Sequence, residues 1–455
     1  MPRGFYIKTM GCQMNAYDSD FLAQSLITAG FVPVNGPEVA DVILINTCVV
    51  RAKPEQKAYS FLGRVSAIKA GNPKRFLGIV GCLAQMKGAE LLKRFPQLDM
   101  IMGPRELYRF PEVLKRIDRL SGKIVATGMD SGPPGHSPCQ GYFQGKISGY
   151  ISIMEGCNNF CSYCIVPYVR GREISRSPEE IVAEAKHLLT EGVKEITLLG
   201  QNVNSYFWRG VGHNECRLPD LLHKLSSLDG LLRLRFVTSH PKDLSDELIS
   251  CFGDIPNLCP HIHLPFQAGA NRILKSMRRG YTREEYLMLI QKLRSVKPDI
   301  AITSDVMVGF PGETDQDFEQ TLDLIRRVQF DSLFSFNYSD RKGTFADKMG
   351  GKIDNVTKSS RLTVLQAIQQ EITTEKNRKL EGTDVDILVE GGSKRGSQLF
   401  GRTGSHKIVH FIGNDNLIGT LVKVLIKVSF FNSLRGELNP ASLQDNQDRH
   451  ALGMI

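Results

Sequence analysis

The chain has 455 residues, of which 41% are hydrophobic and 23% are charged, a balance that is typical of globular proteins and excludes wholesale disorder. Its formal net charge of +9 suits a polyanionic partner such as nucleic acid, but basic proteins without such a partner are about as common. The first residues lack the apolar core of a signal peptide, and lysines interrupt the most apolar late stretch, 421–431. We therefore expect a cytoplasmic protein without a membrane partner.

The first part of the chain alternates short apolar runs with helical patterns. A helix is predicted over 18–29, and three runs are predicted strands: 5–10, 42–46 and 76–80. Strands that alternate with helices form parallel βαβ units, so we predict an open α/β domain over 1–125. A Gly-, Pro- and Ser-rich passage then indicates a linker over 126–142.

The middle of the chain repeats this rhythm on a longer scale. Six runs are predicted strands: 150–154, 195–199, 232–237, 261–264, 301–308 and 333–338. A loop and usually a helical pattern follow each of them, but six βα units are too few to close an eight-stranded barrel. We predict a partial, open (βα)6 barrel within a domain over 143–380.

After a long helix that is predicted to end near Leu380, the apolar pattern changes to period two. Strands are predicted at 385–389, 407–411 and 421–428, separated by Gly-rich turns. These strands indicate a small β-barrel over 381–442, followed by a loose polar tail over 443–455. The fold class is therefore α/β: an open α/β domain, a partial (βα)6 barrel and a small β-barrel.

The last barrel also carries residues that could contact RNA. Seven basic residues give it only a slight positive charge: Lys394, Arg395, Arg402, Lys407, Lys423, Lys427 and Arg435. Five aromatic residues could stack on bases, although we expect most of them to be barrel core: Phe400, His410, Phe411, Phe430 and Phe431.

Three of the ten cysteines form a dense cluster in the middle domain. Cys157, Cys161 and Cys164 are spaced C-x3-C-x2-C, and clustered thiols in a cytosolic protein indicate metal binding or catalysis. Thiolates are the usual ligands of [4Fe–4S] clusters, which normally take four, so three ligands leave one iron open to a substrate or cofactor. The alternatives are a zinc site, whose ligands usually form two separated pairs, or unrelated structural cysteines.

A second triad is scattered through the first domain. Cys12, Cys48 and Cys82 each stand just past the end of a predicted strand. The ends of parallel strands line one edge of a sheet, where ligands bind, so the three thiols can converge. This position predicts a second cluster, and the alternative is three unrelated buried cysteines.

The C-x3-C-x2-C spacing, with Tyr163 just before the last thiol, resembles the signature of the radical S-adenosylmethionine (SAM) superfamily. With both triads, the chain resembles the methylthiotransferases from end to end, and most closely the branch that acts on prenylated adenosine in tRNA. Five stretches carry this resemblance: 155–158 with 170–172, 199–206, 238–241, 263–267 and 308–314. Gln201-Asn202-Val203-Asn204 is the most telling marker of the branch.

The resemblance implies a radical SAM enzyme, a transferase of sulfur-containing groups, with two [4Fe–4S] clusters and SAM as cofactors. A deoxyadenosyl radical would attack the C–H bond at carbon 2 of an adenine beside the anticodon. Tyr163 would lie near the adenine of SAM, and Ser239, Gln267 and Gly309 stand in strand-end loops where SAM contacts are expected. No catalytic acid or base is assigned, because carbon 2 of adenine is neither acidic nor electrophilic and the cofactors carry the chemistry.

The resemblance also implies partners. The last barrel would be a TRAM domain that binds tRNA through an anticodon loop with prenylated adenosine, and a flavodoxin- or ferredoxin-like protein would donate electrons; we expect a monomer. Two alternative substrates stay open, threonylcarbamoyl-adenosine in tRNA and a ribosomal protein. A non-catalytic iron–sulfur RNA-binding protein is the alternative from another class, but a purely structural cluster would gain nothing from a missing ligand.

Overall fold

The computed structural model describes residues 2–49, 52–117, 122–129, 139–392 and 398–440. Most of the predicted linker and the predicted polar tail lie outside the described residues, as do Lys394 and Arg395.

The N-terminal part is an open parallel sheet with helices on both faces. Its strands are β1 (Gly4–Met10), β2 (Val32–Pro33), β3 (Val42–Thr47), β4 (Phe76–Gly81), β5 (Met100–Met102) and β6 (Ile124–Ala126). Its helices are α1 (Gln13–Thr28), α2 (Ala52–Ala70), α3 (Cys82–Lys87), α4 (Glu90–Arg94) and α5 (Phe110–Arg116). The strand order is β2-β1-β3-β4-β5-β6, with every pair parallel. The predicted open α/β fold is confirmed; β2, β5 and β6 were not predicted, because two or three residues are too few to show a period.

The central part contains a larger set of parallel strands. In chain order the strands are β7 (Ser148–Ser152), β8 (Met154–Glu155), β9 (Ile174–Ser175), β10 (Glu195–Leu199), β11 (Phe207–Arg209), β12 (Glu215–Arg217), β13 (Arg233–Phe236), β14 (His261–His263), β15 (Ala301–Val308) and β16 (Ser332–Asn337). The helices are α6 (Val166–Val169), α7 (Pro178–Thr190), α8 (Leu218–Ser226), α9 (Asp246–Asp254), α10 (Asn271–Ser276), α11 (Arg283–Val296), α12 (Asp315–Val328) and α13 (Asn355–Arg378).

Six of these strands form the partial barrel. Strands β7, β10 and β13 pair in parallel, as do β14, β15 and β16, and a bridge between Leu234 and Leu258 joins the two halves. All six are the strands predicted from the sequence. Because β7 and β16 are both edge strands, the barrel is open on the side between them. Its apolar core lies between the strands and the surrounding helices.

The C-terminal part is a closed β-barrel, as predicted. Its strands are β17 (Asp384–Gly392), β18 (Gln398–Thr403), β19 (Ile408–Ile412), β20 (Leu421–Ser429) and β21 (Leu434–Leu438), in the order β17-β18-β19-β21-β20. Strands β18 and β21 were not predicted, because glycine and arginine interrupt their apolar alternation. The expectation that most aromatic residues here are core is wrong: Phe411 is 1% exposed, but Phe430 and Phe431 are 49% and 44% exposed and Phe400 and His410 are half-buried.

Two arginines of the partial barrel hold the small barrel in place. Arg233 Nη2 donates to the carbonyl of Asp386 (3.0 Å), and Arg235 donates to those of Gly404 (2.7 Å) and Thr403 (2.9 Å). Arg233 is the first residue of β13, so the small barrel sits against the amino end of that strand. Lys407, one of the bases that could contact RNA, is mostly buried and pairs with Asp331 of the central part (3.5 Å).

Within the described ranges, no helix is both long and apolar enough to cross a lipid bilayer.

Candidate metal and cofactor sites

The sheet brings the N-terminal triad to one edge. Strands β1, β3 and β4 are neighbours, and Met10 pairs with Thr47, which pairs with Gly81. Cys48 and Cys82 follow these ends directly and Cys12 follows after Gly11, and Cys48 N donates to Met10 O (2.9 Å). Cys48 and Cys82 are each 5% exposed, whereas Cys12 is exposed. The hydrogen bond between the side chains of Cys12 and Cys48 is the main cause that lowers the pKa of Cys12 to about 6.

A buried amide pair supports this edge. Asn15 Nδ2 donates to Asn46 Oδ1 (2.8 Å), and Asn46 Nδ2 donates to the carbonyl of Asn15 (2.8 Å). Asn15 Oδ1 accepts from the backbone N–H of Cys12 (3.3 Å). A Cβ atom at Gly11 would lie 2.1 Å from Asn15 Oδ1 and 2.9 Å from the Cβ of Cys48. Glycine is therefore required here for the close approach of the two cysteine segments.

Arg170 joins the N-terminal sheet to the central barrel. Its guanidinium donates to Asp18 of α1 (2.7 Å) and to Glu155 (3.1 Å), and all three side chains are at most 7% exposed. Burial raises the pKa of Asp18 and of Glu155, and the positive charge of Arg170 opposes this rise. Burial also raises the pKa of Cys82, and Arg170 opposes that rise too, by charge and by a side-chain hydrogen bond. Arg170 thus places a positive charge beside the N-terminal triad.

The second triad lies in the loop between β8 and α6. Cys157 and Cys164 are partly exposed and Cys161 is 9% exposed. Burial, and to a lesser extent the charges of the Cys161 and Cys157 thiolates, raise the pKa of Cys164 to about 12. Gly156 has φ +86°, and a Cβ atom there would lie 2.1 Å from the carbonyl oxygen of Arg172. A larger residue would therefore push the loop away from the backbone of Gly171 and Arg172.

Two residues that the sequence analysis did not assign contact Cys161. The buried Arg279 donates to Cys161 Sγ (3.3 Å) and to the hydroxyl of Tyr163 (3.4 Å). His240 Nε2 lies 4.0 Å from Cys161 Sγ, and burial lowers the pKa of this histidine to about 2, so it is neutral. His240 lies in the stretch 238–241 that carries the family resemblance, and this position could have indicated a role for it. Nothing in the local sequence pattern indicated that Arg279 is buried.

The predicted SAM contacts lie at the carboxyl ends of barrel strands. Ser239 Oγ and Gln267 Oε1 are buried and have no hydrogen-bond partner in the described part of the chain. Gln267 has φ +65° and its neighbour in the site, Gly309, has φ +71°. Unpaired buried polar atoms, and residues other than glycine in the left-handed region, such as Gln267, cost free energy and collect at ligand sites. These atoms fit a polar ligand such as SAM.

Two residues of the branch marker, Gln201 and Asn204, hold the loops that border the predicted SAM site. Gln201 Oε1 accepts from the backbone N–H of Gly156, next to the second triad. Asn204 Nδ2 donates to the carbonyl of His240 (2.8 Å) and Asn204 Oδ1 accepts from its N–H (2.9 Å). The marker therefore connects the cysteine loop with the loop that carries Ser239.

The elements next to the two triads pack against each other. Met14 and Tyr17, at the start of α1, pack with Leu199 at the end of β10. Helix α6, which follows Cys164, buries Val169 in the same apolar cluster as Cys82. In the described ranges no group of three or more His, Cys, Asp or Glu side chains converges tightly enough to hold a single metal ion. Ligation of iron–sulfur clusters by the six cysteines therefore stays a prediction. The donor set of three thiols at each site fits such clusters.

Three family models match the chain. The model described as Radical SAM superfamily matches residues 151–325, Uncharacterized protein family UPF0004 matches 4–103, and TRAM domain matches 378–438. The solved structure of the radical S-adenosylmethionine methyltransferase TsrM from Kitasatospora setae is 16% identical, with a TM-score of 0.53 over 74% of this chain and 75% of that chain. The cobalamin-dependent S-adenosylmethionine radical enzyme OxsB is 12% identical, with a TM-score of 0.51 over 81% of this chain and 56% of that chain. These two structures show the shared fold alone.

Relatives similar in sequence cover nearly the whole chain. The tRNA-2-methylthio-N(6)-dimethylallyladenosine synthase of Syntrophus aciditrophicus is 49% identical over 95% of this chain and 94% of its own length. The synthase of the same name from Geobacter metallireducens is 47% identical over 95% and 98%. The chain belongs to the family of these synthases, within the radical SAM superfamily.

Proposed function

We propose that this protein is a radical SAM transferase that adds a methylthio group to carbon 2 of N(6)-prenylated adenosine beside the anticodon of tRNA. The observation that carries the proposal is the packing of the elements next to the two cysteine triads against each other, at the carboxyl end of a barrel strand. One triad serves SAM cleavage and the other serves sulfur transfer, and each needs access to the same base. The packing of α1 against β10, and of α6 against the N-terminal sheet, supports this shared access.

The proposed cofactors are SAM and two [4Fe–4S] clusters, one at Cys12, Cys48 and Cys82 and one at Cys157, Cys161 and Cys164. When bound, they supply the radical chemistry that an unreactive aromatic C–H bond requires. Arg279 holds the cysteine loop and the Tyr163 ring in place through its two hydrogen bonds. Ser239 Oγ and Gln267 Oε1 bind polar groups of SAM, and Gly309 lets the third strand-end loop approach it.

The base must leave its stack to reach the inside of the barrel. The open side between β7 and β16 provides the entrance. The small barrel borders it: Arg402 is close enough to Tyr150 of β7 to lower the pKa of that phenol, against the larger effect of burial. RNA held by the TRAM domain would therefore lie next to the entrance.

The domain boundaries remain as proposed from the sequence: 1–125, a linker over 126–142, 143–380, 381–442 and a tail over 443–455. The three family matches support this division, since each falls almost wholly within one domain. We further propose a monomer that works in the cytoplasm, where its ten free cysteines stay reduced, and that receives electrons from a flavodoxin- or ferredoxin-like protein.

The test offers the anaerobically reconstituted enzyme three substrates in parallel: isopentenylated tRNA, threonylcarbamoylated tRNA and a ribosomal-protein preparation. Mass spectrometry of nucleosides and of peptides should find a methylthio group on the first alone. The same tRNA without the isopentenyl group is the matched control. A preference for threonylcarbamoylated tRNA would keep the chemistry but contradict the proposed substrate, and modification of protein alone would contradict a role on RNA.

A further inference from the structure

Exposed aromatic and basic side chains surround the loop of the second triad. Phe160, Tyr168 and Phe345 are 39%, 51% and 51% exposed. Exposed apolar patches mark interaction sites, and aromatic residues and arginine are enriched at protein interfaces. The cluster-loop surface consists of these rings and three exposed cations: Phe160, Tyr168, Arg172, Lys242, Arg278 and Phe345.

The rings and two of the cations of this surface form two groups of contacts. The rings of Phe160 and Tyr168 meet edge to face at 6.3 Å, and the guanidinium of Arg172 lies 6.0 Å from the Phe160 ring. The guanidinium of Arg278 lies 3.9 Å from the Phe345 ring.

Backbone and side-chain hydrogen bonds tie both groups to the cysteine loop. The N–H of Ala346, next to Phe345, donates to the carbonyl of Ser162 (2.7 Å). Lys242 Nζ donates to Asn159 Oδ1 (2.7 Å). The patch is therefore centred on the segment that contains Cys161.

Phe160 is held outward at a cost. Its φ is +43°, in the left-handed region that residues other than glycine rarely adopt. It precedes Cys161 directly, and nothing in the cysteine spacing requires an exposed ring there. Strained backbone of this kind persists where the surrounding structure and a function require it.

Three cations of the surface are exposed, against two half-buried carboxylates, one of which, Asp243, also pairs with Lys242 (3.8 Å). Asp243 accepts from Asn202 Nδ2 (2.7 Å), and Glu173 accepts from the Ser205 hydroxyl (2.8 Å). Arg172, Arg278 and Lys242 remain exposed. The chemistry of the patch therefore suits a partner with a negatively charged face.

The position of the patch suits an electron donor. The TRAM domain sits at the amino end of β13, where Arg233 begins the strand. The cluster-loop surface lies at the carboxyl ends, around the loop after β8 and the segment that follows β16. An electron donor must come close to Cys161, and the surface is tied to the loop that contains this cysteine.

We propose that the cluster-loop surface docks an acidic one-electron carrier protein that reduces the cluster at Cys157, Cys161 and Cys164. The inference rests on the proposed function, since it assumes that cluster. One electron passes from the reduced flavin or iron–sulfur centre of the carrier to the cluster, which oxidises the carrier by one electron, and no bond forms at the surface. Small interfaces are usual for such transient electron-transfer complexes.

The experiment uses the reconstituted holoenzyme and a photoreduced bacterial flavodoxin. Two double variants alter different parts of the surface, Arg278→Glu with Phe345→Ser and Lys242→Glu with Tyr168→Ser. A third, Arg326→Glu with Met288→Ser, is the matched control on exposed positions of α12 and α11. Stopped-flow bleaching of the cluster absorbance at increasing flavodoxin concentration gives an apparent Kd, and the same series at higher salt gives its ionic-strength dependence.

Each surface variant should raise the apparent Kd for flavodoxin about tenfold and flatten its salt dependence, because charge reversal removes the steering attraction. The control should match the unaltered enzyme. Deoxyadenosine formed with dithionite should not change, since a small reductant needs no docking, and the Kd for tRNA should also stay constant.

Three results would overturn the proposal: an unchanged flavodoxin Kd in both surface variants, equal slowing with dithionite and with flavodoxin in both, or weaker tRNA binding with an unchanged flavodoxin Kd. The last would assign the surface to RNA. Failure of the unaltered enzyme to cleave SAM with dithionite would instead contradict the proposed function, so the two failures are distinguishable.

Discussion

The two cysteine triads are built on opposite principles. Cys157, Cys161 and Cys164 come from one loop, and their spacing along the chain brings them together. Cys12, Cys48 and Cys82 come from three strand ends, and only the order of the sheet brings them together. Each triad has one buried arginine beside it, Arg279 for the loop and Arg170 for the sheet edge.

The arginines differ in what else they hold. Arg279 connects a thiol with Tyr163 and with the carbonyl of Pro265 (2.8 Å), all in the central part. Arg170 connects the sheet edge with Asp18 and Glu155, on two sides of a domain interface. We therefore expect the loop triad to depend on local structure and the sheet-edge triad to depend on the docking of two domains.

Removal of the loop triad should have the largest effect. In a Cys157→Ala, Cys161→Ala, Cys164→Ala variant, SAM cleavage should fall below detection, because the open iron is lost. Bound iron should fall from about eight to about four per chain, on the usual cubane count. Iron assay and chromatography of deoxyadenosine measure both. A variant that keeps all its iron, or loses all of it, would contradict two independent sites.

Removal of the sheet-edge triad should abolish methylthio transfer but leave SAM cleavage. A Cys12→Ala, Cys48→Ala, Cys82→Ala variant should retain about four irons and still form deoxyadenosine, but transfer no methylthio group. The readouts are iron content, deoxyadenosine and nucleoside mass spectrometry. If a folded variant with its remaining iron intact forms no deoxyadenosine, the division of labour between the triads is wrong.

Loss of Arg170 should weaken the packing of the N-terminal sheet against the central barrel, on which the sheet-edge triad depends. Arg170→Met leaves Asp18 and Glu155 buried without a counter-charge, which should cost about 3–5 kcal/mol of unfolding free energy. Arg64→Met is the control, because Arg64 and its partner Glu38 are 58% and 55% exposed and such pairs contribute about 0–1 kcal/mol. Urea unfolding of the metal-free, reduced proteins measures both; equal effects would show that Arg170 does not hold the domains together.

The smallest effects should appear at the predicted SAM contacts. Ser239→Ala and Gln267→Met each remove one hydrogen-bonding group, so each should weaken SAM binding by about 1 kcal/mol, roughly fivefold in Kd. Equilibrium binding of SAM to the reconstituted enzyme measures this, with iron content unchanged. Ser226→Ala is the control, since that hydroxyl is already bonded to the carbonyl of His223. An unchanged Kd in both variants would remove these residues from the site.

Sequence patterns could predict whatever depends on local periodicity. The strand ends before Cys12, Cys48 and Cys82 were predictable, since strong apolar runs mark β1, β3 and β4. The pairing of Arg170 with Asp18 was not, because 152 residues separate them and composition does not reveal which charges are buried. The inward-facing Arg233 and Arg235 were missed for the same reason: alternation predicts the strand but not that another domain supplies acceptors.

The way in which the small barrel is attached to the central part affects how its sequence can evolve. Arg233 and Arg235 bind carbonyl oxygens of Asp386, Thr403 and Gly404, which every amino acid provides. These contacts therefore depend on the course of the main chain and hardly on the identity of the residues that supply the carbonyls. Substitutions can accumulate across the outer face of the barrel while its orientation is inherited unchanged, so new nucleic-acid preferences can arise without remodelling the joint.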